Sequence, residues 1–141
     1  MNKYNFISKI FHNNILKSDR KHQNKTTDKI EDLIDKSEFN YENIKDFPQV
    51  QKNIILSIWY DAEINSGGHE SYFSCCNDIP HKELEKALLE VSSKEIVNNF
   101  KEACETGKID DYENTDNKYY EFSPSLADYI DSYIEKHKEE I

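Results

Sequence analysis

The chain has 141 residues, enough for one domain with a sizeable core, and its 28 Asp and Glu against 18 Lys and Arg leave a formal net charge of −10. Only 3 Gly and 3 Pro are available for turns, which disfavours an all-β sandwich or barrel, while 12% aromatic residues argue against a disordered chain. No apolar run approaches the ~18 residues of a membrane span, and no continuous apolar stretch follows the first basic residues, so no secretory signal is expected.

In chain order, Phe6, Ile7, Ile10, Phe11, Ile15 and Leu16 recur at helical spacing and predict an amphipathic helix over 3–17. The polar stretch Ser18–Lys25 reads as a linker. Thr26 or Thr27 is expected to cap a helix carrying Ile30, Leu33 and Ile34. Residues 38–47 suggest one or two turns. Pro48 suits the first position of a helix, whose broad apolar face holds Val50, Ile54, Ile55, Ile58, Trp59 and Ala62. Gly67 and Gly68 are expected to end it, since glycine accepts the left-handed backbone that closes a helix.

A short helix is expected from His69 to Cys76. Asp78 is expected to cap the next, with Pro80 near its start and Leu84, Ala87, Leu88 and Val91 inward. Ser92 and Glu95 fit a capping box before an apolar face of Ile96, Val97, Phe100, Ala103 and Cys104, ending at Gly107. Residues 108–122 read as a long acidic loop. Ser123 is expected to cap the last helix and Pro124 to start it, with Leu126, Ile130, Tyr133 and Ile134 facing the core. No run alternates as a strand does. The expected architecture is all-α, an irregular multi-helix single domain with short connections, in which 1–25 form a basic leader and linker and 26–141 an acidic domain.

Catalytic and metal-binding patterns are weak. His69, Cys75, Cys76 and His81 are zinc-ligand types, but zinc sites space their cysteines and Cys75 and Cys76 are adjacent. A reactive cysteine needs a lowered thiol pKa, which acidic surroundings oppose. Gly67-Gly68 lacks a phosphate-loop context. With 28 acids some carboxylate pair always exists, so pairing alone does not indicate hydrolysis. No metal, no cofactor and no enzymatic activity are expected. The three cysteines are expected to be free thiols in a cytoplasmic protein.

Around the double glycine the chain reads Ala62-Glu63-Ile64-Asn65-Ser66-Gly67-Gly68-His69-Glu70-Ser71-Tyr72-Phe73. This E-x-N-x-G-G-x-x-x-Y-F pattern, with an apolar helix before it and Leu84 and Leu88 after, resembles the DNA mimic protein 19-like family. The resemblance covers residues 28–106 best. It departs at His69, where an aromatic is usual, and at Cys75 and Cys76, where a small polar pair is usual. It implies a bacterial all-α acidic domain without catalytic activity, which occupies a transcription factor in the manner of DNA or serves at a toxin-immunity locus. It also allows a homodimer. The motif itself has a plain structural reading: Gly67-Gly68 reverses the chain, Tyr72 and Phe73 return to the core, and Glu63 and Asn65 bond exposed backbone near the helix end.

The charge is unevenly placed. Residues 1–30 hold seven basic and two acidic residues, a charge of +5, and residues 31–141 hold 11 basic and 26 acidic residues, a charge of −15. Such a body repels nucleic acid and anionic lipid, and a single Arg leaves little for bidentate phosphate recognition. Asp128, Asp131, Glu135 and Glu139 are spaced to form one row on the last helix. Glu31, Asp35, Glu38 and Glu42 would form a second if their helix continued, and Asp110, Asp111, Glu113 and Asp116 charge the expected loop. A solvated helix face is the plain reading of each row. The functional reading is a partial copy of duplex phosphate charge, offered to the basic groove of a DNA-binding protein. The alternatives are an immunity protein that blocks a toxin, for example a nuclease, and an uncharacterised enzyme.

Overall fold

A computed structural model of the chain describes residues 23–141, and the expected helix at 3–17 and most of the basic leader lie outside the described residues. Seven α-helices and two short 3-10 turns are described, without a strand among the described residues: α1 (Gln23–Ser37), α2 (Tyr41–Ile44), α3 (Gln49–Cys75), α4 (His81–Val91), α5 (Lys94–Thr106), the turn Gly107–Asp110, α6 (Glu113–Glu121), α7 (Leu126–Lys136) and the turn Lys138–Glu140. The fold is all-α, as expected. Among the described residues no helix is long and apolar enough to cross a membrane.

The first part of α3 is the centre of the fold because every residue from Asn53 to Ile64 is buried. A helix buried on all sides belongs inside a bundle rather than at its surface, and this one carries Asn53, Ser57, Asp61 and Glu63 among its apolar side chains. It packs chiefly on α4 and α7, with α6 and α1 completing the shell. Trp59 is 2% exposed, and Leu84, Ala87, Leu88, Ile96, Phe100, Leu126, Ile130 and Ile134 reach the same core. Those side chains share faces at three- and four-residue spacing, so burying one positions the others.

Several expected boundaries move. Helix α1 begins at Gln23, which places Thr26 and Thr27 inside it rather than at its cap, and Thr27 is buried. Pro48 precedes α3 instead of opening it. Asp78 caps no helix of its own; its carboxylate accepts the Tyr41 N–H at 3.2 Å, serving α2 across the fold. Ser93, not Ser92, caps α5, because the Ser92 hydroxyl donates back to the Leu88 carbonyl at 2.6 Å. Ser125 replaces Ser123 as cap of α7 and forms a reciprocal pair with Asp128, at 3.2 and 3.0 Å. Cys104 is exposed, and Asn99 takes the buried place on α5, donating to the Thr115 carbonyl at 3.1 Å. All three cysteines are free.

The largest correction concerns residues 108–122. They form the Gly107–Asp110 turn and helix α6, not a long loop. Only Thr115 and Tyr119 of α6 are buried, so the helical period is nearly invisible in the sequence. With few glycines, two reversals use paired left-handed residues instead. Glu38 and Phe39 have φ of 49° and 55°, and Asp111 and Tyr112 have φ of 52° and 66°. Such backbone is strained for residues with a Cβ, and an aromatic anchors each case. Phe39 packs on Trp59 with ring centroids 5.9 Å apart, and Tyr112 lies so close over Gly107 that a Cβ there would meet its ring at 2.2 Å.

Candidate functional site

The double glycine breaks α3 internally. Gly68 adopts φ 74°, a conformation that favours glycine. Beyond it a short helix, 69–75, restarts with unpaired backbone donors. Asp116 of α6 supplies the missing acceptor: its Oδ1 takes the His69 N–H at 2.9 Å and the His69 ring Nδ1 at 2.6 Å. The approach is so close that a Cβ on Gly68 would lie 2.3 Å from Asp116 Oδ2. Gly68 is therefore needed twice, for its backbone and for the space it leaves to the carboxylate. The flanking acids and amides divide their work. Asn65 Nδ2 donates to the Asp61 carbonyl one turn earlier at 2.8 Å. Glu63 is buried and accepts the Ser71 hydroxyl at 2.8 Å across the break.

Behind this joint lies a polar and aromatic hub. A carboxylate only accepts, so His69 Nδ1 carries the proton and Nε2 accepts from the Tyr60 hydroxyl at 2.8 Å. Burial pushes the imidazole below its ordinary pKa, against the upward pull of Asp116, so the ring is neutral. Tyr60 is fully buried and meets His69, Tyr72, Phe100 and Tyr119 edge-on, at centroid distances of 5.8, 5.1, 5.5 and 5.7 Å. The Tyr119 hydroxyl donates to the Asp61 carboxylate. Burial raises the Asp61 carboxyl, with the Tyr119 bond opposing it. Tyr72 is buried and Phe73 packs against the core. His69, Asp116, Tyr60, Tyr119 and Asp61 are bonded within this hub, while the buried Tyr72 hydroxyl has no partner among the described residues. The sequence carried no sign that His69 and Asp116, 47 positions apart, would meet.

The surface acids fall into distinct environments. Asp110, Asp111 and Glu113 are exposed on the turn and the start of α6, and Asp110 also accepts the Asn114 N–H at 3.0 Å. Asp116 points inward to His69 and does not join that surface. A staple holds α6 to α5: Glu102 takes the Lys118 ammonium at 2.9 Å and the Asn114 amide at 3.2 Å. The expected row on the last helix is interrupted. Asp128 is used in the cap of α7, and Glu135 pairs with Lys138 at 2.9 Å. Glu139 lies beyond the end of α7 in the following turn. Asp131 is half-buried with one carboxyl oxygen shut from solvent and without a partner among the described residues. Burial, with help from Asp128, raises it to about 6. The second expected row breaks too, since α1 ends at Ser37 and Glu38 reverses the chain before Glu42 enters α2.

Among the described residues no group of three or more His, Cys, Asp or Glu side chains is arranged to hold a metal ion. Between 69–75 and the Gly107–Asp110 turn lies an open depression of about 350 Å³, lined by Glu70, Phe73, Ser74, Lys108, Asp111 and Tyr112. Ile109, on the same turn, is 85% exposed.

No curated protein and no solved structure matches the chain significantly. A family model, that of the DMP19-like proteins, matches residues 45–140, which runs from the end of α2 through α7 and includes the double-glycine joint, the hub and the acidic turn. That match spans more than half of the sequence, and the chain belongs to the DMP19-like protein family.

Proposed function

We propose that this chain is an acidic interaction module, not an enzyme, which occupies the basic groove of a DNA-binding protein in the cytoplasm. The observation that carries this reading is the exposure of Asp110, Asp111 and Glu113 together at the Gly107–Asp110 turn and the start of α6. Tyr112 is buried beside them, and Asp116 ties α6 to the double-glycine joint. Carboxylates held in place meet a basic groove without the entropy loss of ordering a loop. They offer charge and no base edges, so they compete where the partner relies on phosphate contacts. Near this surface the buried His69 and the part-buried Asp116 are bonded to each other, and His69 also to Tyr60, which is a structural use of those residues.

The test is competition. The full chain, immobilised, is used to capture its partner from the native host, and duplex DNA is then added. The reading requires that duplex displaces the partner. It also requires that the triple variant Asp110→Asn, Asp111→Asn, Glu113→Gln captures markedly less. Retention of the partner under saturating duplex, or equal capture by the triple variant, overturns it. A captured toxin released by no duplex would point to the immunity role instead.

A further inference from the structure

The depression between 69–75 and the Gly107–Asp110 turn has features that bulk acidity does not require. Glu70, Phe73 and Ser74 stand on one face of a single helical turn, and Lys108 of the Gly107–Asp110 turn and Asp111 and Tyr112 just after it face them. Phe73 and Tyr112 stack, with ring centroids 5.5 Å apart and planes 28° from parallel. Glu70 and Asp111, both exposed, carry carboxylates at its edges. Its volume of about 350 Å³ is at the small end of ligand pockets, which run ~300–1,000 Å³. From this geometry we infer that the depression is the anchor site for one arginine side chain of a basic protein partner.

Arginine fits for three physical reasons. Its guanidinium is planar and stacks on aromatic surface, while its five donors can bridge two carboxylates at once. Being weakly hydrated, it loses less than an ammonium on entering a partly apolar wall. Arginine also concentrates binding energy in protein interfaces, and with lysine it supplies the charged phosphate contacts of grooves that read duplex backbone. Lys108 lines the same depression, and its charge opposes an entering cation. That opposition makes the assignment sharp, because the three charged residues should act in different directions.

The inference rests on the reading that this face meets a basic partner, but it is tested without one. Isotope-labelled full chain is titrated with acetyl-Gly-Arg-Gly-amide, and with the lysine and citrulline counterparts, while backbone amide shifts are followed. Arginine peptide should move resonances at 70–74 and 108–112 and bind about two- to fivefold tighter than the lysine peptide, the range expected of an exposed cation–π contact. Citrulline, with the same shape and no charge, should bind far less. Glu70→Gln and Asp111→Asn should each weaken arginine binding, and Lys108→Gln should strengthen it. All three sites are exposed, and Asn tolerates the left-handed backbone at position 111, so the variants should fold. Equal binding of lysine and arginine, shifts spread over every acidic helix, or indifference to Glu70→Gln and Asp111→Asn overturns the assignment. Loss of arginine preference while duplex still displaces the partner removes this groove alone. Arginine binding without displacement by duplex removes the mimic reading and leaves the groove.

Discussion

Helix α7 and the segment 107–121 are both acidic, and they treat their carboxylates in opposite ways. On α7 the acids are largely engaged in the fold: Asp128 caps the helix, Asp131 is half-buried, and Glu135 is paired with Lys138. In the segment 107–121, Asp116 of α6 is turned inward on His69, while Asp110, Asp111 and Glu113 stay exposed, Asp110 accepting the Asn114 N–H as well. The difference shows that acid count is a poor measure of available charge. A carboxylate that satisfies a helix end or an ammonium offers less to a partner, since breaking its bond offsets the new one.

The largest way to break this contrast is at the joint. Gly68→Ala adds a Cβ against Asp116 and asks a left-handed φ of alanine. Strained backbone of ~1–2 kcal/mol and the loss of charge-assisted bonds of ~1.5–3 kcal/mol together give roughly 2.5–5 kcal/mol. Urea unfolding followed by fluorescence of Trp59, the single tryptophan, would read it; an unchanged midpoint would show that the joint does not hold the fold.

Asp116→Asn is subtler, because the amide oxygen can still accept the His69 N–H while the charge is gone. A loss of about 1–3 kcal/mol is expected, with faster amide hydrogen exchange over 107–121. Faster exchange confined to α7 would contradict the proposed tie between Asp116 and the acidic turn.

For α7 the expectation reverses sign. The Asp131 carboxyl is raised to about 6 in the folded chain and sits near 3.9 when unfolded. Protonation therefore favours the fold. The stability it contributes is fully present below about pH 4, is lost as pH rises through about 6, and is absent above. Asp131→Asn should stabilise the protein at neutral pH, by on the order of 1 kcal/mol after allowing for the exposed half of the group. The advantage should fade toward pH 4. Urea midpoints of both proteins at two pH values check this, and a variant less stable at neutral pH contradicts it.

The smallest effects sharpen the comparison most. Neutralising Asp110, Asp111 and Glu113 should lower partner affinity by about 0.2–1 kcal/mol per charge and flatten its salt dependence. Neutralising Asp128, Asp131, Glu135 and Glu139 removes four charges yet should lower affinity less. Association rates at two ionic strengths separate the sets, because steering acts mainly on the forward rate. A larger loss from the α7 set would move the interaction surface to that helix.

Much of the fold was legible beforehand. The three- and four-residue spacing of Leu84, Ala87, Leu88 and Val91, and of Leu126, Ile130 and Ile134, marked the core faces that are buried. Cap positions slipped because adjacent Ser and Thr residues compete locally, and packing chooses between them: Ser93 over Ser92, Ser125 over Ser123. Helix α6 was missed because two buried residues in nine leave almost no periodic signal. At the candidate surface, the exposure of Asp110, Asp111 and Glu113 agrees with their reading as surface acids, whereas the inward turn of Asp116 was invisible at that separation in sequence.

The amino-acid sequence by itself determined the helical class, the sign and uneven distribution of charge, and the double-glycine motif that carries the family resemblance. All three follow from local spacing and composition. Only the tertiary structure decided which carboxylates are free. Whether an acid bonds a histidine, a helix end, a lysine or water depends on what packing brings within about 3 Å of it, and Asp116 meets His69 because α6 docks against the broken end of α3.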